Sequence, residues 1–95
     1  MELIFSDNFL SRLTDILKFI AKDSKKRALG FKNELLKQLQ GLDFMPYKYR
    51  KSLAFDDENI RDFIFKGYVI PYKIEKDFIV ILAIYKENLP NFTSI

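Results

Sequence analysis

The stretch that decides the fold runs from Ile60 to Tyr85, IRDFIFKGYVIPYKIEKDFIVILAIY. Ile60 to Phe65 is apolar-rich and reads as a strand. Lys66-Gly67 follows as a tight hairpin turn in which Gly67 is free to take positive φ. Tyr68 to Glu75 alternates, with Tyr68, Ile70, Tyr72 and Ile74 on one face and Val69, Pro71 and Lys73 on the other. Pro71 cannot donate to a ladder, so it implies an edge, a bulge or a gap in the pairing. Lys76-Asp77 makes the next turn. Phe78 to Tyr85 is the most apolar run of the chain and reads as one continuous central strand covered by helices.

Upstream of this hairpin series the period changes. Glu2 to Ser6 reads as a strand ending at a helix cap around Asp7-Asn8. Phe9, Leu13, Ile16, Leu17 and Ile20 then recur at helical spacing, with Arg12, Asp15 and Lys18 between them. Ser24 suits the cap of a second helix that carries Ala28, Phe31, Leu35, Leu39 and Leu42 and ends near Gly41. Two such helices with a short polar link form an antiparallel hairpin. Asp43 to Ser52 is a loop, Ser52 to Phe55 a short candidate strand, and Asp56 to Asn59 a turn. The fold class is therefore α+β: a strand, a helical hairpin, then a three- to four-stranded, mainly antiparallel sheet with the helices packed on one face. Its other face meets solvent or forms a site. Residues 1–95 make one domain, with 86–95 as an irregular tail.

Composition restricts the chemistry. The chain has no cysteine and no histidine. That excludes disulfides, thiolate metal sites, the Ser-His-Asp triad, and the one side chain that titrates near neutrality unaided. Asp56-Asp57-Glu58 is read as an exposed acidic turn, and neither metal nor cofactor is assigned. The N-terminus lacks a secretory pattern, and no apolar run is half the length of a membrane span, so a cytoplasmic protein without membrane contact is expected.

A formal charge of +3 hides an uneven distribution: residues 22–51 carry nine basic and three acidic side chains. Within them, Tyr47-Lys48-Tyr49-Arg50-Lys51 interleaves rings and cations, a pattern that stacks bases and binds phosphates, or lies half-buried as a loop. The basic third suits an acidic protein segment, a nucleic acid, or solvent alone.

The 60–85 stretch also resembles the C-terminal half of the RelE/ParE superfamily, the toxins of type II toxin–antitoxin and plasmid-stabilisation systems. Arg61 stands at the strand-opening arginine of that pattern, Tyr68 and Tyr72 at its tyrosines, and FIVILAIY at its last strand. The order of elements extends the likeness over residues 1 to about 88. The resemblance implies a cognate antitoxin whose disordered C-terminal segment, here acidic and apolar, folds on binding. It also implies one of two targets. The ParE kind inhibits DNA gyrase without chemistry of its own; the RelE kind enters the ribosome and cuts messenger RNA. A degenerate member would only bind its partner.

Where the nucleases place an arginine after the hairpin Gly-Tyr, this chain has Val69; beyond the last strand it has Lys86-Glu87-Asn88. The resemblance thus favours the gyrase-inhibiting branch. Lys48, Arg50, Lys51, Arg61 and Tyr68 are the expected target- or partner-binding residues. Arg61, Tyr85 and Lys86, with Arg50 and Lys51, would be the catalytic set of a metal-independent nuclease. Arg61 is expected on or near the sheet face left free by the helices, where its plainer role is pairing with a carboxylate such as Glu58. Tyr68 and Tyr72 have a plainer role at the core edge, and Lys86 as a solvated strand end.

Overall fold

The computed structural model describes residues 1–87. Strand β1 (Glu2–Phe5) leads into α1 (Asp7–Asp23) and α2 (Lys25–Gln40), followed by two short 3₁₀ turns, Gly41–Asp43 and Pro46–Lys48. Strands β2 (Ile60–Phe65), β3 (Tyr68–Ile74), β4 (Phe78–Ile81) and β5 (Tyr85–Lys86) complete the fold. The sheet runs β1-β4-β3-β2, with β5 also on β3. β1 lies parallel to β4 and the other pairs are antiparallel. The α+β class, the leading strand and helical hairpin, and the mainly antiparallel sheet are as expected: four strands follow the helices, and β1 joins them to make five.

The first helix is capped one residue earlier than the Asp7-Asn8 expectation. The Ser6 hydroxyl accepts from the Phe9 N–H at 3.0 Å and donates to the Leu82 carbonyl at 2.7 Å, tying the helix start to the sheet. Ser24 ends α1 in an extended conformation and caps α2 by accepting from the Arg27 N–H at 3.1 Å. One residue therefore serves two helix ends, and α2 folds back on α1. Gly41 ends α2 as expected, with right-handed dihedrals.

Register decides which side chains share a face. Arg61 sits opposite Tyr72, Phe63 opposite Ile70, and Tyr72 opposite Ile81. These side chains point to the helices, where Phe9, Leu13, Phe31, Leu35 and Leu39 meet Phe63, Ile70, Tyr72, Ile79 and Ile81 in one core. Phe31 contacts the Phe65 and Tyr68 rings edge-on, and Phe5 stacks on Phe9. On the second face Val69 and Pro71 are buried as well, so the alternation of β3 does not separate a dry face from a wet one.

Two strand expectations fail for identifiable reasons. Phe78 to Tyr85 is not continuous: it breaks at 82–84 into β4 and β5. Pro71 lies opposite that break. The Asp62 N–H points away from β3, to the Arg50 carbonyl at 3.0 Å, so the Asp62–Pro71 pair is the open kind and Pro71 turns its backbone polar groups toward β4. Its carbonyl accepts from the Leu82 N–H at 2.9 Å, and its missing donor falls at the interruption. Of the alternatives that Pro71 implies, the gap is the one adopted. The candidate strand Ser52–Phe55 does not form; pairing begins earlier, where Lys51 bridges Arg61 and the Ser52 N–H reaches the Ile60 carbonyl at 2.9 Å. Leu53 then turns its N–H toward the Asp62 carboxylate instead of continuing the ladder.

The hairpin turn is as expected, with Lys66 at φ 49° and Gly67 at φ 83°, the paired positive values of the tight primed turn. Lys86, assigned to an irregular tail, is in β5, and the rest of that tail beyond Glu87 lies outside the described residues. Among the described residues no helix is long and apolar enough to cross a membrane.

Candidate functional site

Arg61 is on the helix side of β2, not on the free face. Its Nε donates to the Glu58 carbonyl at 3.0 Å, and one terminal nitrogen donates to the carbonyls of Tyr47 and Tyr49 at 3.2 and 3.1 Å. The guanidinium also lies over the Tyr47 ring, 4.9 Å from its centroid. The anticipated Glu58 partner is thus its backbone carbonyl; the Glu58 carboxylate pairs with Lys51 at 3.3 Å. Arg61 fastens the 44–50 loop to the sheet edge.

Residues 49–51 run extended along β2, so successive side chains alternate in direction. Tyr49 packs edge-on against Phe63 on the helix side. Arg50 projects to the opposite face, where its Nε donates to Asp62 Oδ2 at 3.2 Å. Lys51 returns to the side of Arg61 and Glu58. Arg50 and Lys51 are neighbours in sequence but do not form one cationic patch. All three cations of this segment are exposed; Lys48 has no carboxylate partner among the described residues, and its Nζ lies 5.1 Å from the Tyr49 ring centroid.

The second face holds a group that the sequence reading passed over. The Asp62 carboxylate has no exposed surface; Oδ2 accepts from Arg50 and from the Leu53 N–H at 3.2 Å, while buried Oδ1 has no hydrogen-bond partner. Tyr85, opposite Val69, lies on this face as well. Burial pushes its phenol pKa up, the Asp62 charge adds to the rise, and Arg50 opposes it. An acid in the middle of the apolar run IRDFIF was the available signal, because a carboxylate in a buried strand requires a cation or donors.

A third feature lies on the helix side, at the other end of β3. Ile16 and Phe19 of α1, with Tyr68 and Ile84, line a groove of about 330 Å³ flanked by Arg12, Asp15 and Lys86. Lys86 sits opposite Tyr68 with its Nζ 4.8 Å from the ring centroid. Phe19 is 71% exposed.

The candidate nuclease residues do not converge. Arg61 is opposite Tyr72 and Lys86 opposite Tyr68, four residues apart along β3, which alone separates them by about 13 Å. Tyr85 is on the other face. The Val69 position, 2% exposed, offers no cation. A scissile phosphate needs its acid, base and charge-stabilising groups within hydrogen-bond reach, and this arrangement does not bring these residues to one point.

The fold has a known counterpart. A solved structure described as the chromosomal ParDE TA system from P. aeruginosa superposes at a TM-score of 0.72, covering 90% of this chain and 95% of that one at 16% sequence identity. No curated protein matches the chain in sequence. Residues 3–88 match the profile of the family described as ParE toxin of type II toxin–antitoxin system, parDE. The chain belongs to that family.

Proposed function

We propose that the protein is a binding toxin that inhibits DNA gyrase and is neutralised by a cognate antitoxin. Membership of the ParE toxin family over residues 3–88 carries this reading. The scatter of Arg61, Tyr85 and Lys86 over two faces and two ends of the sheet supports binding in place of nuclease chemistry. Inhibition by binding needs a complementary surface and no shifted acid–base pair.

The groove beside α1 suits the antitoxin. Phe19, Ile16 and Tyr68 offer apolar contact and Arg12 and Lys86 offer charge, which fits a segment that carries apolar anchors and acids and folds as it binds. The basic loop with Lys48, Arg50 and Lys51, held by Arg61, is left for the target.

Two measurements on purified protein test the reading. Gyrase supercoiling should be blocked, or cleaved DNA should accumulate, while messenger RNA on translating ribosomes stays intact. Codon-phased cleavage with normal supercoiling would replace gyrase by the ribosome as target. Co-expression with the adjacent small reading frame should yield a stable complex.

A further inference from the structure

The loop after α2 displays large apolar side chains to solvent. Phe44 is 70% exposed, Met45 60% and Tyr47 48%, three large apolar groups within four residues. The segment that carries them is held in place. The Phe44 N–H donates to Gly41, Lys48 N–H to Met45, Tyr72 hydroxyl to Pro46, Tyr47 hydroxyl to Asn59 Oδ1, and Arg61 to the carbonyls of Tyr47 and Tyr49. Met45 adopts left-handed dihedrals, φ 56° and ψ 61°, although it precedes a proline, which favours extended backbone at that position. A bulky residue in this region is strained, and neither a hairpin nor glycine explains it here. A fixed, strained loop that presents Phe44 and Met45 to solvent is preorganised for contact.

Charge selects the kind of partner. Arg50 is paired with Asp62 and Lys51 with Glu58, which leaves Lys48 as the cation of this loop outside any carboxylate pair among the described residues. One unpaired cation beside exposed apolar groups is a poor phosphate-tracking surface, because affinity for a nucleic acid grows with the number of phosphates neutralised. It complements an apolar pocket with a carboxylate on its rim. A surface fixed in advance also fits a folded protein, whereas a disordered segment has the groove beside α1.

We infer that Phe44 and Met45 are the anchors by which this chain docks into an acid-rimmed apolar pocket of a folded protein, the target of the toxin. This inference rests on the toxin reading and adds the surface through which it acts. Phe44→Ser with Met45→Ser tests it, measured by growth arrest on induction, by gyrase inhibition in vitro, and by antitoxin co-purification. Both side chains are exposed, so the variant should keep its melting temperature and its antitoxin complex while potency falls at least about tenfold. Leu29→Ser, on an exposed part of α2, should leave potency unchanged.

Full potency in the double variant would overturn the inference and leave the toxin reading standing. Loss of antitoxin binding would overturn it by assigning the loop to the antitoxin. A potency that falls with Lys48→Glu, declines steeply with salt and ignores the double variant would overturn it in favour of a nucleic acid. No growth arrest by the unaltered chain would overturn the toxin reading, and the inference with it.

Discussion

The Tyr72 hydroxyl, on the innermost part of β3, donates to the Pro46 carbonyl at 2.5 Å and so joins the centre of the sheet to the loop that follows α2. Tyr72 is completely buried, and its ring lies in the same core as Phe63 and Ile81. A phenol rather than a phenyl ring is required there because the Pro46 carbonyl would otherwise lose its donor. The loop conformation is thus encoded 26 residues away from it.

Tyr72→Phe should cost about 1 kcal/mol at neutral pH, the usual net worth of one such bond. Burial raises the Tyr72 pKa well above its ordinary 10.0, with Tyr49 and Asp62 adding to the rise and Arg61 opposing it. A folded-state pKa above the unfolded one stabilises the fold fully below about pH 10 and is lost as pH climbs through the folded value. The gap between wild type and Tyr72→Phe should therefore shrink above about pH 10. Urea unfolding of both proteins at pH 7 and pH 11 checks this; an equal gap at the two pH values would refute it.

Arg61 gives a second test. It serves three backbone carbonyls and covers the Tyr47 ring, so a planar fork is needed and an ammonium does not replace it. Arg61→Lys and Arg61→Met should both destabilise, by about 2 kcal/mol or roughly 10 °C in melting temperature. Toxicity should fall with them because the loop loosens. Thermal melts that leave Arg61→Lys at the wild-type midpoint would show that the fork is dispensable.

The fold was legible where periodicity is strong. Phe9 to Ile20 and Ala28 to Leu42 repeat every three or four residues, and Tyr68 to Ile74 alternates, so helices and hairpin follow from local rules. Pro71 announced an interruption, but only the register shows that it falls between Ile81 and Tyr85. The site was less legible because face and pairing are tertiary properties. Arg61 lies on the helix side through its position opposite Tyr72, and Arg50 and Lys51 diverge because residues 49–51 are extended along β2. Asp62 was overlooked although its place in IRDFIF marked it, since a run of apolar neighbours reads as core before it reads as a charge in need of partners.

Asp62 supplies the third prediction. Asp62→Ala would strand the Leu53 N–H and release Arg50, and Arg50→Met would leave a fully buried carboxylate with one backbone donor. Removing either partner should destabilise by about 1–3 kcal/mol, less than for a fully buried pair because the Arg50 side chain is itself 41% exposed. The double variant should recover part of the loss, since it buries no unpaired charge. A double-mutant cycle in urea giving simple additivity would mean that the two groups are not coupled.

Phe19 gives the last. It is 71% exposed on α1, and it borders the groove shared with Ile16, Tyr68 and Ile84. A large apolar side chain that contributes little to the core can be removed with little effect on stability, so Phe19→Ser should shift the melting temperature by no more than a few degrees. If the groove receives the apolar anchors of the antitoxin, the same change should weaken that complex by about tenfold or more, chiefly through faster dissociation. Lys86→Glu, at the charged border of the groove, should act differently: a slower association rate and a smaller dependence on salt. Surface plasmon resonance with immobilised antitoxin separates the two effects. Phe19→Ser that dissociates at the wild-type rate would place the antitoxin elsewhere on the molecule.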